Sequence, residues 1–389
     1  MGIERAGFDL ATAIELDANH SAVHSFNFPR SPVLQVDANR VSKAAICESI
    51  RSGLARHGRH NAWRSRVDLV VGGPPCQGFS AGGTHNPDDH RNELVFSFAR
   101  IVRELKPRYF IMENVPGLLR TKHRAIWDRL CNSLVDAGYE LAIPAVLNAA
   151  NFGVPQTRKR LFLYGWRRGE AAVATPVGIA STTVSVAEAL QGLPDASTFP
   201  YLYDCDLLNV KRLNRAAQLR LDAEINTYAK SMSTDVSARG FTRSWNRRIL
   251  SGMALTEHSR DVVRRFEATK PGERELVSRY ARLDPTGLSP TLRSGTGPDH
   301  GSHTPPRPIH PSGTRVITVR EAGRLHSFPD WFTFHATKWH AWRGIGNAVP
   351  PLMATAVAKQ VADIVGALDV SNGILEPGDY RTIGYCGVP

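Results

Sequence analysis

The chain has 389 residues, 42% hydrophobic and 22% charged, which places it among globular proteins and excludes wholesale disorder. Lys plus Arg exceed Asp plus Glu by 48 to 36, and only nine of the 48 are lysine. The remaining 39 are arginine, whose planar fork suits phosphates and guanine edges, so nucleic acid leads the list of partners, with GC-rich codon usage as the bland alternative. No apolar run approaches the roughly 18 residues needed to cross a bilayer. The N-terminal MGIERAGFD lacks a signal-peptide core, and five cysteines without a CxxC pair argue against a disulfide framework or structural zinc. The expectation is a soluble cytoplasmic protein that uses no membrane.

In chain order, apolar β-branched runs predict strands at 12–16, 33–36, 67–71, 109–112, 141–147 and 161–164. Helix-like stretches lie between several of them, at 92–105 and at 123–137, where Ile126, Leu130, Leu134 and Val135 form a stripe. Such alternation predicts a parallel α/β sheet covered on both faces, with ligands at the carboxyl ends of its strands. The unusual residues fall at such ends: Glu15, Asp17, Asp37, 72–80 and 113–117. Past residue 178 the periodicity weakens, and 180–310 is rich in Arg, Thr, Ser and His, including the basic stretch RGFTRSWNRR at 239–248. A second, smaller domain is expected there. Order returns with a helix at 318–327 and an apolar segment at 351–370, expected to pack back on the first domain. The boundaries are therefore 1–178 for the first domain, 179–312 for the second, 313–370 for the returning segment and 371–389 for a tail.

Three segments carry chemistry. GGPPCQGFS (72–80) follows the strand VDLVV, and its glycines and prolines forbid helix there and present Cys76 in a loop. A free thiol of pKa near 8.5 is only about 3% thiolate at pH 7, so a nucleophilic role needs a nearby cation or helix N-terminus. The alternative is a small buried hydrophobe. ENVPG (113–117) ends the strand YFIM, where partial desolvation raises a carboxyl pKa toward neutrality; a helix cap or a solvated acid is the competing reading. QTRKR (156–160) places Arg158 and Arg160 two apart, on one side of an extended segment, so that both can face one cleft; ordinary surface arginines are the alternative.

In this order these segments, followed by RVITVREAGRLHSFPDWF (315–332) and GIGNAVPPLMATAVA (344–358), resemble the DNA (cytosine-5) methyltransferase family over most of the chain. The resemblance implies a Rossmann-like S-adenosylmethionine-dependent methyltransferase sheet with a smaller target-recognition domain. It implies methylation at C5 of a flipped-out cytosine in duplex DNA at a specific sequence. Cys76 would be the nucleophile that adds to C6, Glu113 the partner of N3, and Arg160, with Arg158, the contact to O2 and a nearby phosphate. The cofactor S-adenosyl-L-methionine would meet Glu15 through its ribose, Asp37 through its adenine amine, and Pro74, Phe79 and Asn347 in the pocket. Gln77, Ser80, Arg243 and Arg247 would contact DNA. A cytosine shielded in the duplex stack must swing out, at a cost of a few kcal/mol. The family further implies host DNA marking, a restriction endonuclease encoded nearby and a monomeric enzyme.

The family opens with a strand and a glycine-rich loop FxGxGGxxxG, which this chain lacks, Gly2 matching at most its last glycine. A start codon set too far downstream, an inactive relic that still binds DNA, or a second chain supplying the piece would each account for this. RNA cytosine-5 methylation is a further alternative. His300, His303 and His310 lie in a Pro/Gly loop that reads as solvated rather than metal-binding, and the GIGN of 344–347 is weak as a phosphate loop.

Overall fold

The structure, a computed structural model, describes residues 1–59, 66–74, 94–178, 183–210, 225–234, 241–246, 248–295, 307–366 and 373–385. A short helix α1 (Gly2–Arg5) leads to β1 (Ala13–Glu15), α2 (Ala18–Asn27), β2 (Val33–Gln35) and α3 (Lys43–Arg56). Both long helices start on side-chain caps. Asp17 accepts from the backbone of Asn19 and His20, and Ser42 accepts from that of Ala45. β1 and β2 pair in parallel, Glu15 opposite Gln35. Next come β3 (Leu69–Gly72), α4 (Leu94–Leu105), β4 (Tyr109–Asn114), α5 (Arg124–Asp136), β5 (Tyr139–Leu141), β6 (Ala145–Asn148) and β7 (Lys159–Arg167). They build a five-stranded sheet of order β3-β4-β7-β5, with β6 also on β7.

This sheet is mixed, which corrects the expectation of a parallel one. β3 and β4 are parallel, but β7 runs antiparallel to β4, β5 and β6. Only a single 3-10 turn at Ala149–Phe152, and no α-helix, separates β5, β6 and β7, too little chain for a parallel crossover between them. The single run expected at 141–147 is two strands broken around Pro144, which has no N–H to give a ladder.

β4 shows why the apolar run YFIM sits at the centre. Phe110 and Met112 face Phe98, Val102, Leu130 and Leu134 of α4 and α5. Tyr109 and Ile111, on the other face, join Phe162, Tyr164, Met353 and Val357. With both faces covered, every residue from Tyr109 to Met112 is at most 1% exposed, and each large apolar side chain contributes about 2 kcal/mol of burial.

The second half carries α6 (Val186–Leu190), β8 (Leu208–Asn209), α7 (Thr227–Ser233), β9 (Phe241–Arg243), β10 (Ile249–Leu250) and α8 (Arg260–Ala268). It closes with α9 (Val319–Leu325), α10 (Lys338–Asn347), α11 (Pro351–Val365) and β11 (Gly373–Leu375). Val186, Tyr228 and Met232 share one core with Leu325, Phe328 and Trp342. α9 begins on a capping box between Thr318 and Glu321, and Arg315 clamps the Glu321 carboxylate with two bonds of 2.8 Å. α11 returns to the first sheet. Its Ala354 meets α1 so closely that a Cβ on Gly2 would stand 2.4 Å from the Ala354 Cβ.

The expected tail at 371–389 is, over 373–385, part of the folded body. β11 pairs in parallel with β9, Ile383 is fully buried, and the Tyr385 hydroxyl donates to Asp206 at 2.5 Å. Its apolar residues, Leu375, Ile383 and Tyr385, supply the reason: each buries against the body instead of facing water. Among the described residues no helix is long and apolar enough to cross a membrane.

Candidate active site

The parallel register of β3 and β4, with Gly72 opposite Met112, sets the GGPP turn beside the acid that ends β4. A Cβ on Gly73 would lie 2.9 Å from Glu113 Oε2, so only glycine lets the turn approach the carboxylate this closely. Asn114 ties the same two strand ends together. Its Nδ2 donates to the Pro74 carbonyl at 3.2 Å, and its Oδ1 accepts from Val115 N at 2.8 Å. Across the β4–β7 pair, Arg160 Nε stands 2.8 Å from Glu113 Oε1, and each side chain is only 14% exposed.

Burial dominates the ionisation here. It raises the Glu113 carboxyl above its ordinary value, although Arg160 and Arg158 pull in the opposite direction. Desolvation also lowers the Arg160 guanidinium, with Glu113 opposing it. The pair is thus a carboxyl that holds its proton more tightly than a solvated one, beside a cation with little water around it, an arrangement suited to general-acid chemistry.

Arg158 has a different task from Arg160, which corrects the expectation that both guanidiniums face the cleft. It is fully buried and donates to Leu292 O at 2.8 Å, Gly346 O at 2.6 Å and Ala348 O at 3.0 Å. The physical reason is that a buried guanidinium must fill its donors, and carbonyls at the end of α10 and in the 289–295 segment lie within reach. Arg158 therefore grips the backbone on both sides of Asn347, whose side chain is exposed at the end of α10.

Two residues outside the expected set complete this buried layer. Gln156 accepts from Leu292 N at 3.1 Å and donates to Leu325 O at 3.2 Å, while its Nε2 lies 3.0 Å from His326 Nδ1. His326 Nε2 lies 3.0 Å from Ala348 O. Burial, first, and then Arg158 hold His326 well below the usual histidine range, so it is neutral, with Nε2–H donating and Nδ1 accepting. Gln156 continues the alternation of Arg158 and Arg160 and was findable by that spacing. His326 had no such signal.

Glu15 and Asp37 stand at the carboxyl ends of the paired strands β1 and β2. Glu15 Oε1 accepts from Asp17 N at 2.9 Å, and Asp37 Oδ1 from Asn39 N at 2.8 Å. For each carboxylate the second oxygen has no partner among the described residues, which fits two acids waiting for hydroxyl or amine donors. Cys76, Gln77, Phe79, Ser80 and Arg247 lie outside the described residues.

Arg243 corrects another expectation. It is only 8% exposed, ion-pairs with Glu4 at 2.5 Å, donates to Asn27 O and lies 4.1 Å over the Trp331 ring. A guanidinium sandwiched this way ties β9 to α1 and α2 and has no face for DNA. His310 likewise belongs to a structural network: its Nε2 lies 3.5 Å from Glu321, and its Nδ1 accepts from Gly313 N at 3.0 Å. His300 and His303 lie outside the described residues.

Comparison with known proteins gives one consistent result. A family model described as C-5 cytosine-specific DNA methylase matches residues 1–363. The type II methyltransferase M.XorII of Xanthomonas oryzae pv. oryzae is 42% identical over 388 residues, 99% of this chain and 87% of that protein. The type II methyltransferase M.DdeI of Desulfomicrobium norvegicum is 30% identical over 393 residues, covering 93% of this chain and 85% of its own. Among solved structures, a putative DNA modification methyltransferase encoded within an E. coli prophage superposes with TM-score 0.71 at 32% identity, covering 94% of this chain and 95% of its own. The Dnmt2 methyltransferase of S. pombe, at TM-score 0.50 and 14% identity over 94% and 95% of the two chains, shares the fold.

Proposed function

The chain belongs to the C-5 cytosine-specific DNA methylase family, and from that premise we propose that it methylates C5 of a flipped-out cytosine at a specific sequence in duplex DNA through a covalent bond to Cys76. The observation that carries this reading is the Glu113–Arg160 pair, held 2.8 Å apart against the GGPP turn that leads to Cys76. In the sequence Cys76 comes two residues after Pro74, and chain geometry limits that stretch to about 7 Å.

In this reading the Cys76 thiolate adds to C6 of the cytosine. The C5=C6 electron pair moves into the ring as N3 takes the proton of Glu113, leaving C5 nucleophilic. Arg160 keeps Glu113 aimed and reaches toward O2. S-adenosylmethionine, when bound, supplies an electrophilic methyl carbon. C5 would take that methyl, the carbon–sulfur electron pair staying on the donor as its neutral thioether; N3 would return its proton to Glu113, C5 would give up its hydrogen as a proton to water, and the sulfur would leave C6 as thiolate. Glu15 and Asp37 hold the donor's ribose and adenine, and Pro74, Phe79 and Asn347 line its pocket. Arg158 acts through Asn347 and the backbone around it. Gln77, Ser80 and Arg247 contact DNA.

The segment 179–312 serves as the target-recognition domain. The protein works as a cytoplasmic monomer that marks host DNA beside a cognate restriction endonuclease. The test is a duplex carrying 5-fluorodeoxycytidine at the target, where fluorine at C5 blocks the final proton loss. An SDS-resistant protein–DNA adduct is expected with the wild type in the presence of S-adenosylmethionine, and none with Cys76→Ser. Methyl transfer to tRNA but not to duplex DNA would overturn the reading, as would full activity of Cys76→Ser. Calorimetric silence toward S-adenosylmethionine with DNA binding intact would identify an inactive binding protein instead.

A further inference from the structure

Residues 272–282 form a short antiparallel ribbon. Gly272 N donates to Arg282 O at 3.0 Å, Arg282 N to Glu273 O at 2.9 Å and Glu275 N to Tyr280 O at 2.8 Å, and Arg274 bridges Ala281. The base of the ribbon is pinned by Arg282, which donates to Phe266 O at 2.7 Å, His310 O at 3.2 Å and Pro311 O at 3.1 Å. Its turn is built around Glu275. That side chain is 2% exposed, accepts from Val277 N at 3.0 Å and from Ser278 N, and meets Arg265 Nε at 3.1 Å. Arg279 takes φ +62°, a left-handed conformation that costs a non-glycine residue about 1 kcal/mol or more.

The tip of this turn carries Leu276, 91% exposed, and Val277, 69% exposed. Two adjacent apolar side chains are thus held out in water by a buried carboxylate, a strained residue and a cross-strand ladder. Charge around them is positive. Seven basic residues stand against four acidic ones between 260 and 282, and Arg274 and Arg279 are exposed on the two limbs. The downstream chain is fastened to the active-site layer, since Thr157 N donates to Ser289 O at 2.9 Å and Ser289 N to Pro155 O at 3.0 Å. The chain from Arg282 to Ser289 spans at most about 25 Å, the length of roughly seven base pairs.

We propose that this ribbon enters the major groove of the substrate duplex and that Leu276 and Val277 read the C5-methyl group of a thymine in the recognition sequence. The major groove admits a two-stranded ribbon, and the thymine methyl is the apolar feature among the base edges there. Arg274 and Arg279 flank the tip and take the phosphates. The proposal rests on duplex DNA as the substrate.

The test reads binding, so it stands apart from turnover. The duplex that the wild type binds best is selected from a randomised pool, and each thymine is replaced in turn by deoxyuridine, which keeps every hydrogen bond and removes the methyl. The wild type is expected to lose about four-fold in affinity at one position, the worth of one buried methyl. The variant Leu276→Ala/Val277→Ala is expected to bind the thymine duplex that much more weakly and to ignore the replacement. Both side chains are exposed, and an unchanged unfolding midpoint would show that the fold is kept. A selected sequence without thymine, no sensitive position, or a variant with the wild-type ratio would each overturn the proposal. Tight, methyl-sensitive binding without methyl transfer would leave it standing and count against the catalytic reading alone.

Discussion

Arg160 and Glu113 meet at 2.8 Å across antiparallel strands, whereas Arg158, two residues earlier, gives its hydrogen bonds to backbone carbonyls. One guanidinium pairs with a carboxylate and the other ties down the backbone at 292, 346 and 348, and the two are separable by mutation.

Glu113→Gln should lower the methyl-transfer rate constant by about 10²- to 10⁴-fold, the usual worth of a positioned proton donor, with DNA binding kept. Since burial raises the Glu113 pKa above 4.5, the protonated form is present below the raised value and is lost as pH climbs through it. Single-turnover rates of the wild type should fall along that basic limb, and the limb should be missing from the variant.

Arg158→Ala leaves the buried carbonyls of Leu292 and Gly346 without their donor, while Ala348 O keeps His326, and should cost about 2–4 kcal/mol of stability. Arg160→Ala should change stability by less than half as much while lowering the rate more. Urea unfolding compared with kinetics on the two variants checks the split. Arg158→Lys, with one compact charge in place of a fork, should recover only part of the loss.

His326 gives a pH signature of opposite sign to that of Glu113. Its folded pKa lies well below 6.5 because of burial and the nearby Arg158, so the unfolded chain binds a proton that the folded chain refuses. Its contribution is complete above pH 6.5 and is lost as pH falls, by about 1.4 kcal/mol per pH unit. His326→Gln, which keeps one donor and one acceptor, should flatten the fall in stability between pH 6 and pH 5. Denaturant titrations at both pH values measure it.

Asp206 is pushed up to about 6 by burial, against the pull of Tyr385, Gly252 and Ala254. Raised from 3.8, its contribution is complete at low pH and lost as pH rises through about 6. Asp206→Asn should therefore stabilise the protein more at pH 8 than at pH 5. Tyr385→Phe should cost about 1–2 kcal/mol by unpairing the carboxyl, and limited proteolysis should then cut within 373–385 sooner.

Much was legible in the chain because it is written in near neighbours. The run YFIM is apolar on both faces, so it lies in the middle of a covered sheet, with helices close to those read at 92–105 and 123–137. GGPP and ENV each end a strand, and parallel register alone sets them side by side. What the sequence could not decide was the direction of β7, because the pattern of a strand buried on both faces is the same whichever way its neighbour runs.

The fate of the arginines was equally hidden. Arg158, Arg160 and Arg243 look alike as residues in basic, polar stretches, yet the first two differ only in whether carbonyls at 292, 346 and 348 or the carboxylate of Glu113 come within reach. Arg243 is claimed by Glu4, 239 positions away. A guanidinium's role depends on which acceptors surround it after folding, and those acceptors are mostly backbone oxygens that every residue carries. No local pattern marks them, so residue type and spacing named the candidates, and only the packed chain assigned their partners.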